Sequence, residues 1–74
     1  MTENFSFEFT DEHKLISSGT NGWKLELNKI SWNGRAPKYD IRSWSEDHKK
    51  MGKGVTLTED ELKNLKNLLN TLEL

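Results

Sequence analysis

Seventy-four residues without a cysteine describe one small domain, residues 1–74, built without disulfides or thiolate metal sites. A chain of this length buries only about 60% of the surface its unfolded form exposes, so self-association is the expected source of added stability. The net charge of −1 hides a split: residues 1–22 carry −3, residues 23–57 carry +4 and residues 58–74 carry −2.

For a polyanionic partner the distribution of charge matters more than its sum. No apolar run approaches the roughly 20 residues of a membrane span, and no signal-peptide pattern opens the chain, which predicts a cytoplasmic protein with no membrane partner.

"FSFEF" (5–9) alternates strictly and puts Phe5, Phe7 and Phe9 on one face of a strand. "DEHK" interrupts the pattern and "LIS" resumes it before the loop "SGTNG", so this region is either one long bulged strand or two short ones. "WKLELNKISW" (23–32) is the second strand. Leu25 and Leu27 share a face while Ile30 and Trp32 have the opposite parity, which predicts a β-bulge near Asn28–Lys29 that returns Ile30 to the leucine face. Trp23 is expected to pack with Phe5, Phe7 and Phe9. Asn33-Gly34 signals a hairpin because both residues tolerate positive φ. Pro37, which lacks an N–H, should stand at the start of the next strand.

"KYDIRSW" (38–44) sends Tyr39 and Ile41 one way and Lys38, Asp40, Arg42 and Trp44 the other. "SEDHKKMGKG" (45–54) reads as a polar loop and "VTL" (55–57) as a short fourth strand. In "TEDELKNLKNLLNTLEL", Thr58 and Glu61 form a capping box ahead of an amphipathic helix with Leu62, Leu65, Leu69 and Leu72 in one stripe and Leu68 beside it. The fold class is α+β: a curved four-stranded antiparallel sheet and one C-terminal helix, β-β-β-β-α, with the helix covering one face and the other face open.

On that open face the stripe Lys38, Arg42, Trp44 carries the functional signal. A large exposed aromatic beside a cation needs a partner. Stacking of a base on an aromatic contributes about 1–3 kcal/mol and tolerates any sequence. The competing readings place Trp44 at a sheet edge or in a dimer interface. Trp32, at the lip of the hairpin, fits a stacking platform or the core. Lys49, Lys50 and Lys53 leave the strand that carries Trp44. Five leucines exceed what a thin sheet face absorbs, so Leu65, Leu68, Leu69 and Leu72 are expected at a helix-to-helix homodimer contact.

Catalytic chemistry finds little footing. "MGKG" lacks the spacing and hydroxyl of a phosphate-binding loop. His13 and His48 belong to no clustered ligand motif, and Glu46-Asp47-His48 is a weak metal signal on which a metal-assisted nuclease is a remote reading. No enzyme activity, cofactor or metal is expected.

"LELNKISWNGRAPKYDIRSW" followed by "GKGVTLTEDELKNLKNLL" resembles the positive cofactor four transcriptional coactivator family, in particular its small bacterial members of the YdbC type. The resemblance implies a homodimer of curved four-stranded sheets with helices at the interface, a fold similar to the plant Whirly proteins, and binding of single-stranded DNA without strong sequence preference. By position, Trp32 matches the aromatic that ends the second strand and Arg35 the cation past the turn. Arg42 matches the arginine of the third strand, Trp44 lies near the following aromatic, and Lys53 matches the lysine before the fourth strand. The hairpin here carries extra residues, and the serine-rich, basic N-terminal region of eukaryotic members has no counterpart in this sequence, so coactivation through that tail is not implied.

The expected interface is Lys24, Lys29, Trp32, Arg35, Lys38, Arg42, Trp44, Lys49, Lys50 and Lys53. The expected partners are single-stranded DNA, with RNA left open, and a second copy of the chain. The process served (transcription, replication or repair) is also open. The rival from another class is a homodimeric protein-interaction module using the same aromatic face.

Overall fold

The computed structural model describes residues 5–74 as five strands and one helix: β1 (Phe7–Phe9), β2 (Lys14–Ser18), β3 (Lys24–Trp32), β4 (Lys38–Trp44), β5 (Met51–Leu57) and α1 (Glu59–Leu69). The strands make one antiparallel sheet with β3 and β4 at its centre and β5 on one edge; β1 and β2 lie end to end along the other side of β3. Phe7 pairs with Trp32 and Phe9 with Ile30; further along, Lys14 pairs with Leu27 and Ser18 with Lys24. The N-terminal region is therefore two short strands. Between them the Asp11 carboxylate accepts a hydrogen bond from the Glu12 N–H at 2.8 Å, a local contact that competes with ladder pairing.

The bulge expected at Asn28–Lys29 does not form. β3 runs against β4 in unbroken register from Lys24–Trp44 to Ile30–Lys38, and the irregularities fall instead at Leu15/Ser17 in β2 and at Arg42/Trp44 between β4 and β5. Ile30 needs no slip because it has apolar company on its own face: it pairs with Phe9 and is fully buried. The two faces thus stay chemically distinct. Leu25, Leu27 and Lys29, with Tyr39, Ile41, Val55 and Leu57, face the helix side; Glu26, Asn28, Ile30 and Trp32, with Asp40, Arg42 and Trp44, face away.

Among the described residues, the five buried ones (Glu26, Asn28, Ile30, Asp40 and Trp44) all lie on the face away from the helix. That face, expected to be open, holds the most deeply buried of the described residues. Trp23 corrects a second expectation. It sits beside Asn21, Ser45, Glu46 and Lys50 in an open depression, while Trp32 and Trp44 take the places against the phenylalanines.

β5 begins at Met51, so the polar loop shrinks to residues 45–50. Gly54 makes this possible. It lies opposite Arg42, and a Cβ there would run into the Arg42 side chain and the Ile41 carbonyl.

The capping box forms as expected: the Thr58 hydroxyl accepts from the Glu61 N–H at 3.1 Å, and the Glu61 carboxylate accepts from the Thr58 N–H at 2.8 Å. The helix stops at Leu69 with Asn70 as its cap, so Leu72, expected in the helical stripe, lies in the turn beyond it. No residue of α1 is buried, and Leu68 and Leu69 remain 62% and 46% exposed. The radius of gyration of 13.7 Å exceeds the ~11 Å of a compact domain of this length.

Candidate nucleic-acid interface

The site is built at the hairpin end of the sheet. Asn33 and Gly34 take φ of 51° and 75°, and the Arg35 N–H donates to the Trp32 carbonyl at 2.9 Å, closing the turn. Asn33 also clasps the N-terminal segment. Its N–H donates to the Ser6 carbonyl and its side-chain oxygen accepts from the Ser6 N–H, both at 2.8 Å. This brings Phe5 and Phe7 beside Trp32, each ring centroid 5.8 Å from the indole. Phe5 is 62% exposed. Phe5 and Phe7, expected only in strand packing, thus join the aromatic group around Trp32. Their parity, read against Trp32 as a ladder partner, was the available signal.

The Arg42 guanidinium lies over Trp32, 5.0 Å from the ring centroid, within cation–π range. It is fixed there by Asp40, which accepts from Nε at 2.7 Å and from Nη2 at 2.8 Å, and Asp40 also accepts from the Thr56 hydroxyl at 2.9 Å. A bidentate pair sets orientation as well as energy. Arg42 thus backs the indole and brings less free charge to a phosphate than an unpaired arginine would.

Trp44 is not the exposed platform expected from its parity. Its exposure is 0%, and its ring lies 5.3 Å from Phe7, 5.0 Å from Phe9 and 5.9 Å from His48. Trp44 does face away from the helix, but on that face the side chains of Phe7, Phe9 and His48 pack against it. A base can reach Trp44 only by displacing two phenylalanines, so it is core.

The cations divide by face as well. Lys24, Arg35, Lys38, Lys49, Lys50 and Lys53 are exposed. Lys38 pairs with Ile30 and stands on the Trp32 face. Lys29 does not: its odd parity puts it on the helix side, 5.4 Å from the centroid of the Tyr39 ring and on the opposite face from Trp32. In the β4–β5 loop, Asp47 accepts from the Lys49 N–H at 3.0 Å and the Ser45 hydroxyl at 2.8 Å; these bonds hold its carboxyl below the usual range. Glu46, Asp47 and His48 therefore do not converge on one point.

Instead His48, at φ 60°, turns back over the sheet. Its Nε2 lies 3.0 and 3.1 Å from the two oxygens of Glu26, which is 3% exposed. His13 reaches the same carboxylate at 3.5 Å and the Asn28 side-chain oxygen at 2.7 Å, while Asn28 donates to Glu26 at 2.9 Å. Burial by itself pushes the Glu26 carboxyl up, but the bonds from Asn28 and His48 and the nearby imidazoles more than offset it, so it is held below its ordinary value. The two rings stack at 4.1 Å between centroids. The reading that the histidines form no ligand cluster is overturned, because strand register and a left-handed turn join positions far apart in sequence.

On the helix side, Leu62, Leu65 and Leu69 with Leu27 line a groove of about 310 Å³, and Leu68 and Leu72 project beyond it.

Residues 20–68 match the family model described as Transcriptional Coactivator p15 (PC4), a span that takes in β3, β4, β5 and all of α1 but its last residue. An uncharacterized protein of Treponema pallidum (strain Nichols) is 53% identical over 74 residues, covering 100% of this chain and 87% of that protein. With the antiparallel sheet, the C-terminal helix and the Trp32–Arg42 pair lying inside the matched span, the chain belongs to the transcriptional coactivator p15 (PC4) family, a nucleic-acid-binding, non-enzymatic family known for single-stranded DNA binding.

Proposed function

We propose that this protein binds single-stranded DNA as a homodimer, with little sequence preference, on the hairpin end of the sheet face that turns away from α1. The observation that carries this reading is the half-buried Trp32, backed by Arg42 and flanked by the exposed Phe5. Lys38 and Arg35 stand beside it, and Lys24, Lys49 and Lys50 lie toward the far end of the same strands. Bases stack on the aromatic group while phosphates follow the lysines. Duplex DNA binds more weakly because its bases are not free to stack.

The dimer is supported by the uncovered apolar surface of α1 and the open groove at Leu27 and Leu65. A second copy covering that surface would leave the Trp32 face of both subunits available.

The test is fluorescence anisotropy with labelled single- and double-stranded oligonucleotides of one sequence at two salt concentrations. Single-strand binding should be tighter, with log affinity falling against log salt by about 0.7 per phosphate contact. Absence of binding at low salt would overturn the reading and leave the aromatic face as a surface for protein.

A further inference from the structure

We propose that His13, Glu26 and His48 form a three-ligand site for a divalent transition ion of the zinc class, which ties the segment before β2 and the β4–β5 loop to the middle of β3. These are the only two histidines of the chain, and both arrive at one buried carboxylate.

The donor types come first. Two imidazoles and a carboxylate suit zinc and its first-row neighbours, whereas calcium and magnesium take oxygen donors almost throughout. The placement is close to what binding needs. One donor atom from each residue lies within 4.8 Å of the others. Ligand bonds of about 2.0–2.2 Å place donors in a tetrahedral site ~3.3 Å apart. The separations of Glu26 from His48 and from His13, 3.0 and 3.5 Å, are already in that range.

Rigidity and freedom are divided usefully among the three. Glu26 is held in the ladder between Leu15 and Arg42, and the Asn28 amide fixes one of its oxygens at 2.9 Å. Hydrogen bonds of this kind orient metal-binding carboxylates. Both histidines stand outside the ladders, so their rings, now 13° from parallel, can splay until their lone pairs converge.

The hydrogen positions follow from the partners. The Asn28 oxygen only accepts, so a neutral His13 ring carries its hydrogen on Nδ1; the ion takes that hydrogen's place, and the ring then carries it on Nε2. His48 Nε2 points a hydrogen at Glu26; the ion takes that hydrogen's place, and the neutral ring then carries its hydrogen on Nδ1. The His13 side chain is 39% exposed, which leaves solvent to fill the fourth position.

The experiment uses the full chain, stripped with a chelator and dialysed, then titrated with Zn2+ in competition with a chromophoric chelator. One ion per chain and a raised thermal midpoint are expected. Co2+ in place of Zn2+ should give the intense visible bands of a tetrahedral site. His13→Ala and His48→Gly should each weaken binding more than tenfold, since loss of an outer hydrogen-bond partner alone costs about 10–100-fold. Glycine at position 48 accepts the φ of 60°, so that variant keeps the loop and remains a fair comparison. No saturable binding at one per chain, no tetrahedral Co2+ spectrum, or affinity unchanged in both variants would overturn the site and leave a hydrogen-bonded polar cluster.

Discussion

Trp32 and Trp44 lie on the same face of the sheet, on adjacent strands, yet in different surroundings. Phe7 and Phe9 close over Trp44, while Trp32 at the hairpin end is only partly buried. Their truncations should therefore separate. Trp32→Ala is expected to lose about 1–3 kcal/mol of single-strand affinity with the fold retained. Trp44→Ala should cost about 3–5 kcal/mol of folding free energy through the cavity it leaves, read by denaturant unfolding. Equal loss of binding from two equally stable variants would contradict this division. Gly54 belongs to the same scale. Gly54→Ala drives a methyl into Arg42 and the Ile41 carbonyl, and is expected to cost about 1–3 kcal/mol in thermal or chemical unfolding.

The helix is specified more locally than any strand. Its capping box, its acidic first turn and its leucine spacing are all readable from consecutive residues, and all appear in the structure. What its apolar surface meets is a longer-range matter. Leu62, Leu65 and Leu69 reach the groove beside Leu27, but Leu68 and, just past the helix, Leu72 stay largely exposed. Replacing both Leu68 and Leu72 with glutamate should then leave the monomer folded, because more than half of each is exposed in it. The same variant should shift sedimentation from dimer to monomer. A double variant that still sediments as a dimer would move the interface away from α1.

At the scale of the whole molecule the sheet separates two chemistries by parity. Glu26, Asn28 and Asp40, with Trp32, Trp44 and the N-terminal phenylalanines, crowd one face, and most of the aliphatic residues with the helix occupy the other. Lys38 and Lys29 sit on opposite sides of that division. Lys38→Ala should lower affinity for every oligonucleotide sequence alike and reduce the salt slope by about 0.7, the share of one phosphate on a single strand. Lys29→Ala should leave both unchanged. The two slopes, measured by anisotropy across a salt series, decide whether the face away from α1 carries the nucleic acid.

Strand alternation, the Asn33-Gly34 turn, the Thr58 cap and the leucine spacing were legible in the sequence because each depends on neighbours a few residues apart. So was the family, whose motifs run through "YDIR" and "GKGVTLT". The burial of Trp44, the orientation of Lys29 and the meeting of His13 with Glu26 and His48 were decided only in three dimensions. Each turns on which strand lies beside which and in what register. A slip of one residue in β3 would have turned both Ile30 and Trp32 to the helix side. The sequence carries the parity of every side chain along its strand, but not what the rest of the chain lays over it.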